Sequence, residues 1–319
     1  MNIVLTGSVA YDYLMSFPGY FRDHILPDKL DSISLSFLVE SMIRRRGGAA
    51  SNIAYTLALF GQRSRLMATV GEDFEEYRIW LDSIGVDTSA VKVIPGEFTA
   101  SFFVNTDRSN AQIASFYPGA MEQAHELSIY DLRDQKPDLI MISPNDPKAM
   151  IRYVEECKTL DIPYFYDPSQ QICRLDGQTL RKGLEGAAGL FVNDYEFGLI
   201  QKHAGMNPTD IRKATQLSVV TRGEIGADVY VGDQVHHIPS VSPNEIADPT
   251  GVGDAFRGGF LIGYSNGLNW ETCGRMGSLA ATYCIEQKGP QEHSFTPEEF
   301  INRYRENFDD HNKLDVFIN

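Results

Sequence analysis

The stretch Asp248 to Phe260, DPTGVGDAFRGGF, crowds small residues around a lone carboxylate, Asp254, at the head of an apolar run. Glycine-rich turns that open a helix hold phosphate through free backbone N–H groups. A carboxylate repels phosphate, so Asp254 suits a different task, taking a proton from an alcohol. Neither common nucleotide fingerprint fits. A Walker A loop needs Gly-Lys-Ser/Thr, which the chain lacks, and a dinucleotide fingerprint needs a third glycine where Phe256 stands. The N–H groups of Gly251, Val252 and Gly253 could instead face a phosphoryl group whose charge develops during transfer. Asp254 would then face the attacking hydroxyl. A plainer reading stays open, with Asp254 as a helix N-cap and the glycines there for close packing.

Such a loop needs elements to place it. Apolar runs at 2–8, 65–71, 138–143, 163–169, 189–194 and 218–223 each end in Gly, Asp or Ser. Helical patterns fill 48–60, 74–84, 147–160, 178–186, 194–203 and 208–216, and the last third reads as helices at 254–265, 270–286 and 297–307. This alternation predicts an α/β fold with a mostly parallel sheet and helices on both faces. Ligands in such folds lie beyond the strand C-termini, which puts Asp167, Asn193 and Thr221 on one edge. Two regions break the pattern. Residues 11–40 are rich in Tyr, Phe, Leu and Ser, and 97–117 reads as two strands about a turn near Asp107–Asn110. Together they predict a small β-sheet that acts as a lid. One domain over 1–319 is expected, with a loosely held tail at about 309–319.

The chain has 319 residues, 43% of them apolar, which is enough for a large core. Its net charge of −15 argues against a nucleic-acid partner, which needs clustered Lys and Arg. The one compact basic run, Arg44-Arg45-Arg46, reads as a solvated loop, with phosphate attraction at a cleft as the sharper alternative, strongest for Arg46. No apolar run is long enough to span a membrane. The N-terminus has no basic region before its apolar part and reads as a first strand. Cys157, Cys173, Cys273 and Cys284 show neither CxxC nor metal-ligand spacing, so buried free thiols in a reducing cytoplasm are expected. The pair His236-His237 falls on an expected edge strand and is not read as a metal site.

Four motifs, in one order, resemble the ribokinase-like (PfkB) carbohydrate and nucleoside kinases: GSVAYD (7–12), RGGAASNIAYTLALFG (46–61), NDYE (193–196) and DPTGVGDAFRGGF. The resemblance covers essentially the whole chain. It implies a three-layer α/β/α sandwich with a β-sheet lid. It also implies Asp254 as general base and an anion hole at Gly251, Val252 and Gly253. Asn193 and Glu196 match the motif that orders Mg²⁺ and its waters on the nucleotide phosphates, with Glu196 acting partly through water. An N-cap with an acidic first turn is compatible with the same residues. Thr221 and Gly223 resemble the stretch beside ATP, and Arg222 between them is given no role. Asp12, Asn52 and the Gly47-Gly48 turn match ribose-binding positions, with Ser8 as a further contact. Asn52 on its own would be read as a helix N-cap.

The segments SLSFLVE (34–40), AQIASFYPGAM (111–121) and DPSQQ (167–171) extend the resemblance to bacterial adenosine kinases. It implies that Phe102 and Phe116 sandwich the base, whose flat π face suits aromatic stacking. Ser36, Gln170 and Gln171 would meet its edge. Each Phe taken alone would be read as core packing. The implied reaction moves the γ-phosphoryl of Mg·ATP to the 5′-hydroxyl of adenosine, giving AMP and ADP. A kinase for inosine, guanosine, ribose or fructose stays open, as does a non-catalytic nucleoside-binding protein on the same fold. The family's monovalent-cation requirement points to K⁺ near Asp248–Thr250 and 285–290. Apolar lid strands tend to pair, so a homodimer through the lid is expected. Adenosine and ATP are the expected partners, with neither nucleic acid nor membrane.

Overall fold

The computed structural model describes residues 1–26, 31–32, 34–309 and 313–317. Among them the chain forms two sheets. The larger sheet contains β1 (Ile3–Thr6), β4 (Arg65–Val70), β5 (Asp87–Val93), β8 (Leu139–Ile142), β9 (Tyr164–Tyr166), β10 (Gly189–Asn193), β11 (Ser218–Thr221), β12 (Ala227–Val231) and β13 (Gln234–Ile238). Its order is β13-β12-β11-β10-β9-β8-β1-β4-β5. From β5 to β11 every pairing is parallel, and β12 and β13 add an antiparallel edge. The smaller sheet contains β2 (Ala10–Ser16), β3 (Ser41–Gly47), β6 (Ala100–Thr106) and β7 (Gln112–Tyr117), in the order β3-β2-β6-β7.

The central strand shows why helices cover both faces. All four residues of β1 are buried. Ile3 and Leu5 join one core, and Val4 joins the other. Strands buried on both faces read as continuous apolar runs. One face carries α1 (Ala49–Leu59), α2 (Glu75–Ser83), α7 (Val252–Ser265), α8 (Trp270–Ile285) and α9 (Pro297–Asn307). The other carries α3 (Pro147–Leu160), α4 (Gly177–Leu184), α5 (Asp194–Ala204) and α6 (Pro208–Ala214). The ribokinase-like α/β sandwich with a small lid sheet is therefore the fold of this chain. No helix among the described residues is long and apolar enough to cross a membrane.

Several expectations are corrected. The lid strand β3 lies at 41–47, past the expected 11–40 segment, so the three arginines sit on a strand and not in a loop. Their charge hides the strand pattern, but their positions are extended and paired with β2. Phe17, Phe21 and Phe37 instead pack on each other beyond the end of β2, with ring centroids about 5 Å apart. Strand β5 had no counterpart among the expected runs. Cys157, Cys273 and Cys284 are buried free thiols, whereas Cys173 is exposed. At the C-terminal end, residues 313–317 form a short 3₁₀ turn that buries Leu314 fully. Residues 310–312 and 318–319 of the expected tail lie outside the described residues, as do 27–30 and 33 of the first lid segment.

Candidate active site

Helix α7 starts at Val252, with Gly251 as its N-cap at φ +78°. A side chain there would be strained and would also collide with Pro290. Asp254 thus stands in the first turn, and the N-cap reading of it fails. The Val252 N–H makes only a long 3.4 Å turn bond to the Pro249 carbonyl. The N–H groups of Gly251 and Gly253 have no partner among the described residues. Asn52 likewise falls inside α1, whose N-cap is Gly48, so it does not cap that helix. Its Nδ2 donates to Asp254 Oδ2 at 2.8 Å.

The Gly47-Gly48 turn brings the lid sheet to this point. A Cβ at Gly47 would lie 2.6 Å from Asp12 Oδ2, so a side chain there would displace that carboxylate. Asp12 is paired with Phe102 across β2 and β6, and Phe102 with Phe116 across β6 and β7. Directly paired residues share a sheet face, so a carboxylate and two aromatic rings form one row. Phe102 is half-buried and Phe116 is 50% exposed, which removes the core-packing reading for Phe116. Ser8 Oγ accepts the Ala49 N–H at 2.9 Å and so helps start α1.

In the larger sheet, Asn193 and Thr221 are register partners at the ends of β10 and β11. Asp167 follows β9, on the same edge. Asn193 and Glu196 form a reciprocal capping box, each accepting the other's backbone N–H at 2.8 Å. Gly223 opens a short turn after β11, at φ +56°. Ser36 is exposed in an irregular stretch and makes no hydrogen bond to these residues among those described. Gln170 is exposed, and Gln171 is buried, with its amide oxygen accepting from Arg174 at 3.3 Å.

Several residues were not singled out from sequence. Arg257, buried one turn beyond Asp254, pairs with Asp167 at 2.7 Å. The i, i+3 spacing in GDAFR was the available signal. Gln291 and Tyr77 support Asn52 from behind. Arg222, given no role, pairs with Asp228 at 2.5 Å. The basic run is committed to the protein itself: Arg44 to Glu76, Arg45 to Glu292, and Arg46 over the Trp80 ring at 4.5 Å.

The electrostatics follow from what is gathered here. Burial pushes the Asp254 carboxyl up to about 6, opposed by Arg257 and the Asn52 hydrogen bond and assisted by Asp167 and Glu196. Burial also pushes Asp12 up to about 6, reinforced by Asp248 and Asp254. Glu196 is raised by burial, against the pull of its hydrogen bond from Asn193. Carboxyls tuned toward neutrality suit proton transfer.

The fold has relatives among known proteins. The pfkB family carbohydrate kinase model matches residues 11–297. A nucleoside kinase of Methanothermobacter thermautotrophicus is 29% identical over 306 residues, 95% of each chain. A nucleoside kinase of Burkholderia thailandensis solved in complex with inosine superposes with a TM-score of 0.87, at 36% identity over 96% of this chain and 98% of that one. An adenosine kinase from Sinorhizobium meliloti, at 21% identity and TM-score 0.73 over 96% of this chain and 98% of that one, shares the fold. The chain belongs to the pfkB family of carbohydrate kinases and is a phosphotransferase.

Proposed function

We propose that the chain is an ATP-dependent nucleoside kinase acting on the 5′-hydroxyl of a purine nucleoside, with adenosine as the acceptor its pocket segments resemble. The observation that carries this is Asp254 in the first turn of α7, held by Asn52 beside unpartnered N–H groups. Asp12 would accept hydrogen bonds from the ribose, and Phe102 and Phe116 would stack on the base. Asp254 would take the proton of the attacking hydroxyl. The N–H groups of Gly251, Val252 and Gly253 would hold the phosphoryl oxygens as charge shifts during transfer. Thr221, Gly223 and Asn193 would border the donor nucleotide.

Asp12 feels the charge of Asp248 and Asp254, and Asp254 that of Asp167 and Glu196, with the buried Arg257 guanidinium acting against them. A polyphosphate entering that field needs a cation with it. Among the described residues no cluster of His, Cys, Asp and Glu forms a metal cage. Mg²⁺ would be that cation, because it keeps several waters and rides on substrate phosphates. Glu196 fits as its protein contact, because only its Oε2 is used by the capping box. Bound Mg²⁺ would supply charge neutralisation at the phosphates. For K⁺, the Asp248–Thr250 turn packs against the end of α8 through the Ile285 carbonyl. The lid face carrying Met42, Phe103, Ile113 and Tyr117 exposes each of them by about 40% or more, which supports a lid-mediated homodimer. A single-chain mass by light scattering at micromolar concentration would count against that.

One observation favours a wider acceptor range. The Burkholderia enzyme in complex with inosine is nearer in sequence than the adenosine kinase sharing the fold. A coupled ADP assay with adenosine, inosine, guanosine, cytidine, ribose and fructose tests the reading. Turnover is expected with adenosine or inosine. Turnover confined to the free sugars, or none at all, would overturn it.

A further inference from the structure

Behind Asn52 lies a chain of hydrogen bonds that begins at the proposed base and ends at the lid turn. Asp254 Oδ2 accepts from Asn52 Nδ2 at 2.8 Å. Asn52 Oδ1 accepts from Gln291 Nε2 at 2.7 Å. The same Nε2 donates to the Tyr77 hydroxyl at 2.6 Å. Tyr77 in turn donates to the Gly47 carbonyl at 3.1 Å. Asn52, Tyr77 and Gln291 are all buried, Gln291 to 5% exposure.

The direction of every bond is forced. A carboxylate only accepts, so Asn52 must turn its NH₂ to Asp254 and its oxygen to Gln291. Gln291 must then turn its NH₂ toward Asn52, and its two protons are divided between Asn52 and Tyr77. Gln291 Oε1 is left buried with no partner. Leaving a buried acceptor unpaired costs on the order of 1–3 kcal/mol. Native proteins keep few such groups, and those they keep call for an explanation. Here the orphan oxygen is the consequence of supplying two donors on the opposite edge of one amide.

We propose that Gln291 is a positioning residue: through Asn52 and Tyr77 it fixes the Asp254 carboxylate relative to the Gly47 turn that abuts Asp12. Gln291 belongs to the loop between α8 and α9, next to Pro290, which packs against Gly251. One loop thus buttresses both the N-terminus of α7 and the amide that orients its carboxylate. The inference rests on reading Asp254 as the base.

Without Gln291 the Asn52 amide can rotate, and Asp254 loses a hydrogen bond that favours its charged form. The other groups acting on Asp254 are Arg257 on its own helix, Asp167 after β9 and Glu196 on α5. Asp12 on β2 and Cys284 on α8 also feel its charge. None of these changes when Gln291 is replaced.

The test uses the full chain carrying Gln291→Met, which keeps the volume and removes both donors, and Tyr77→Phe, which removes one anchor of Gln291. In Gln291→Met, kcat is expected to fall about tenfold, with the KM for ATP within about twofold of the parent. The acidic limb of kcat should move up by about one pH unit. In ligand-free protein the ¹³C carboxyl signal of Asp254, assigned by its loss in Asp254→Asn, should titrate higher by the same amount. Tyr77→Phe should give a smaller shift in the same sense. A residue that only fills space would lower the Tm and leave the pH limb and the carboxyl midpoint unmoved, and that result overturns the proposal. Should Gln291→Met fail to fold, the midpoint in Tyr77→Phe decides. Failure of the parent chain to phosphorylate any nucleoside overturns the functional reading instead, while the carboxyl midpoint still decides the role of Gln291.

Discussion

Arg257 reaches from α7 to Asp167 beyond β9, with Nη2 donating to Oδ1 at 2.9 Å and Nε at 2.7 Å from Oδ2. Both side chains are buried. The guanidinium is also the one cation that lowers the Asp254 carboxyl. Arg257 therefore serves the fold and the proposed base at once. Arg257→Ala leaves Asp167 charged and unpaired in the interior, which costs about 3–5 kcal/mol. The expected outcome is a large loss of denaturant stability together with a rise in the Asp254 midpoint. Chemical unfolding and a kcat–pH profile on the folded fraction check both. A variant as stable as the parent would show that the pair is dispensable.

With Asp254 as the proposed base, the two raised carboxyls should set an acid limit on activity. A base must be ionised to accept a proton, so kcat should fall about tenfold per pH unit below about pH 6. In the free enzyme burial pushes both Asp12 and Asp254 up to about 6, and the Asp254 charge adds to the rise of Asp12. The acidic limb of kcat/KM for the nucleoside should thus be steeper than that of kcat, approaching a slope of two. Initial rates between about pH 5 and 8 check this. Activity that stays flat down to about pH 5 would remove Asp254 from the chemistry.

The same shifts affect stability, in the opposite sense to most acidic groups. Folded Asp254 binds its proton more tightly than an unfolded-chain carboxyl with the ordinary value of 3.8. Its contribution is fully present below that value and is lost as pH rises through about 6. Asp254→Asn keeps the shape and removes the ionisation. It should raise the Tm at neutral pH by about 2–5 °C, with the gain shrinking toward about pH 4. It should also abolish turnover while sparing nucleoside binding. Calorimetry at two pH values, isothermal titration with adenosine and the ADP assay read the three effects. Retained turnover would sink the assignment of the base.

The sequence reading reached the α/β sandwich and the sheet edge because these depend on local patterns. Apolar runs ending in Gly, Asp or Ser mark β1, β4 and β8 to β11, and Asp167, Asn193 and Thr221 lie at the C-terminal ends of β9, β10 and β11. Strand β3 was missed because Arg44 to Arg46 mask its alternation. The Arg44 and Arg46 guanidinium groups lie over the Tyr11 and Trp80 rings. Gln291 was missed for a different reason. Its contact with Asn52 spans 239 positions, and nothing in the residues around either one announces the other. Asp254 could be picked out because a carboxylate in a glycine turn is locally odd, whereas a glutamine in a loop is not.

The lid row offers a test that separates acceptor binding from chemistry. Phe116 stands opposite Phe102 and is half exposed, so truncating it removes little packing from the ligand-free protein. Stacking of a base on an aromatic ring contributes about 1–3 kcal/mol. If Phe116 provides one face of the base site, Phe116→Ala should raise the KM for adenosine about tenfold. It should leave the KM for ATP and the Tm close to those of the parent. Asp12→Asn should also weaken the acceptor, through the sugar and not the base. A base-independent loss would be shared by adenosine, inosine and ribose, whereas the Phe116 effect should vanish with ribose, which has no base to stack. An equal loss with ribose would place Phe116 in lid structure or lid pairing, and the aromatic row would no longer explain how the acceptor is chosen.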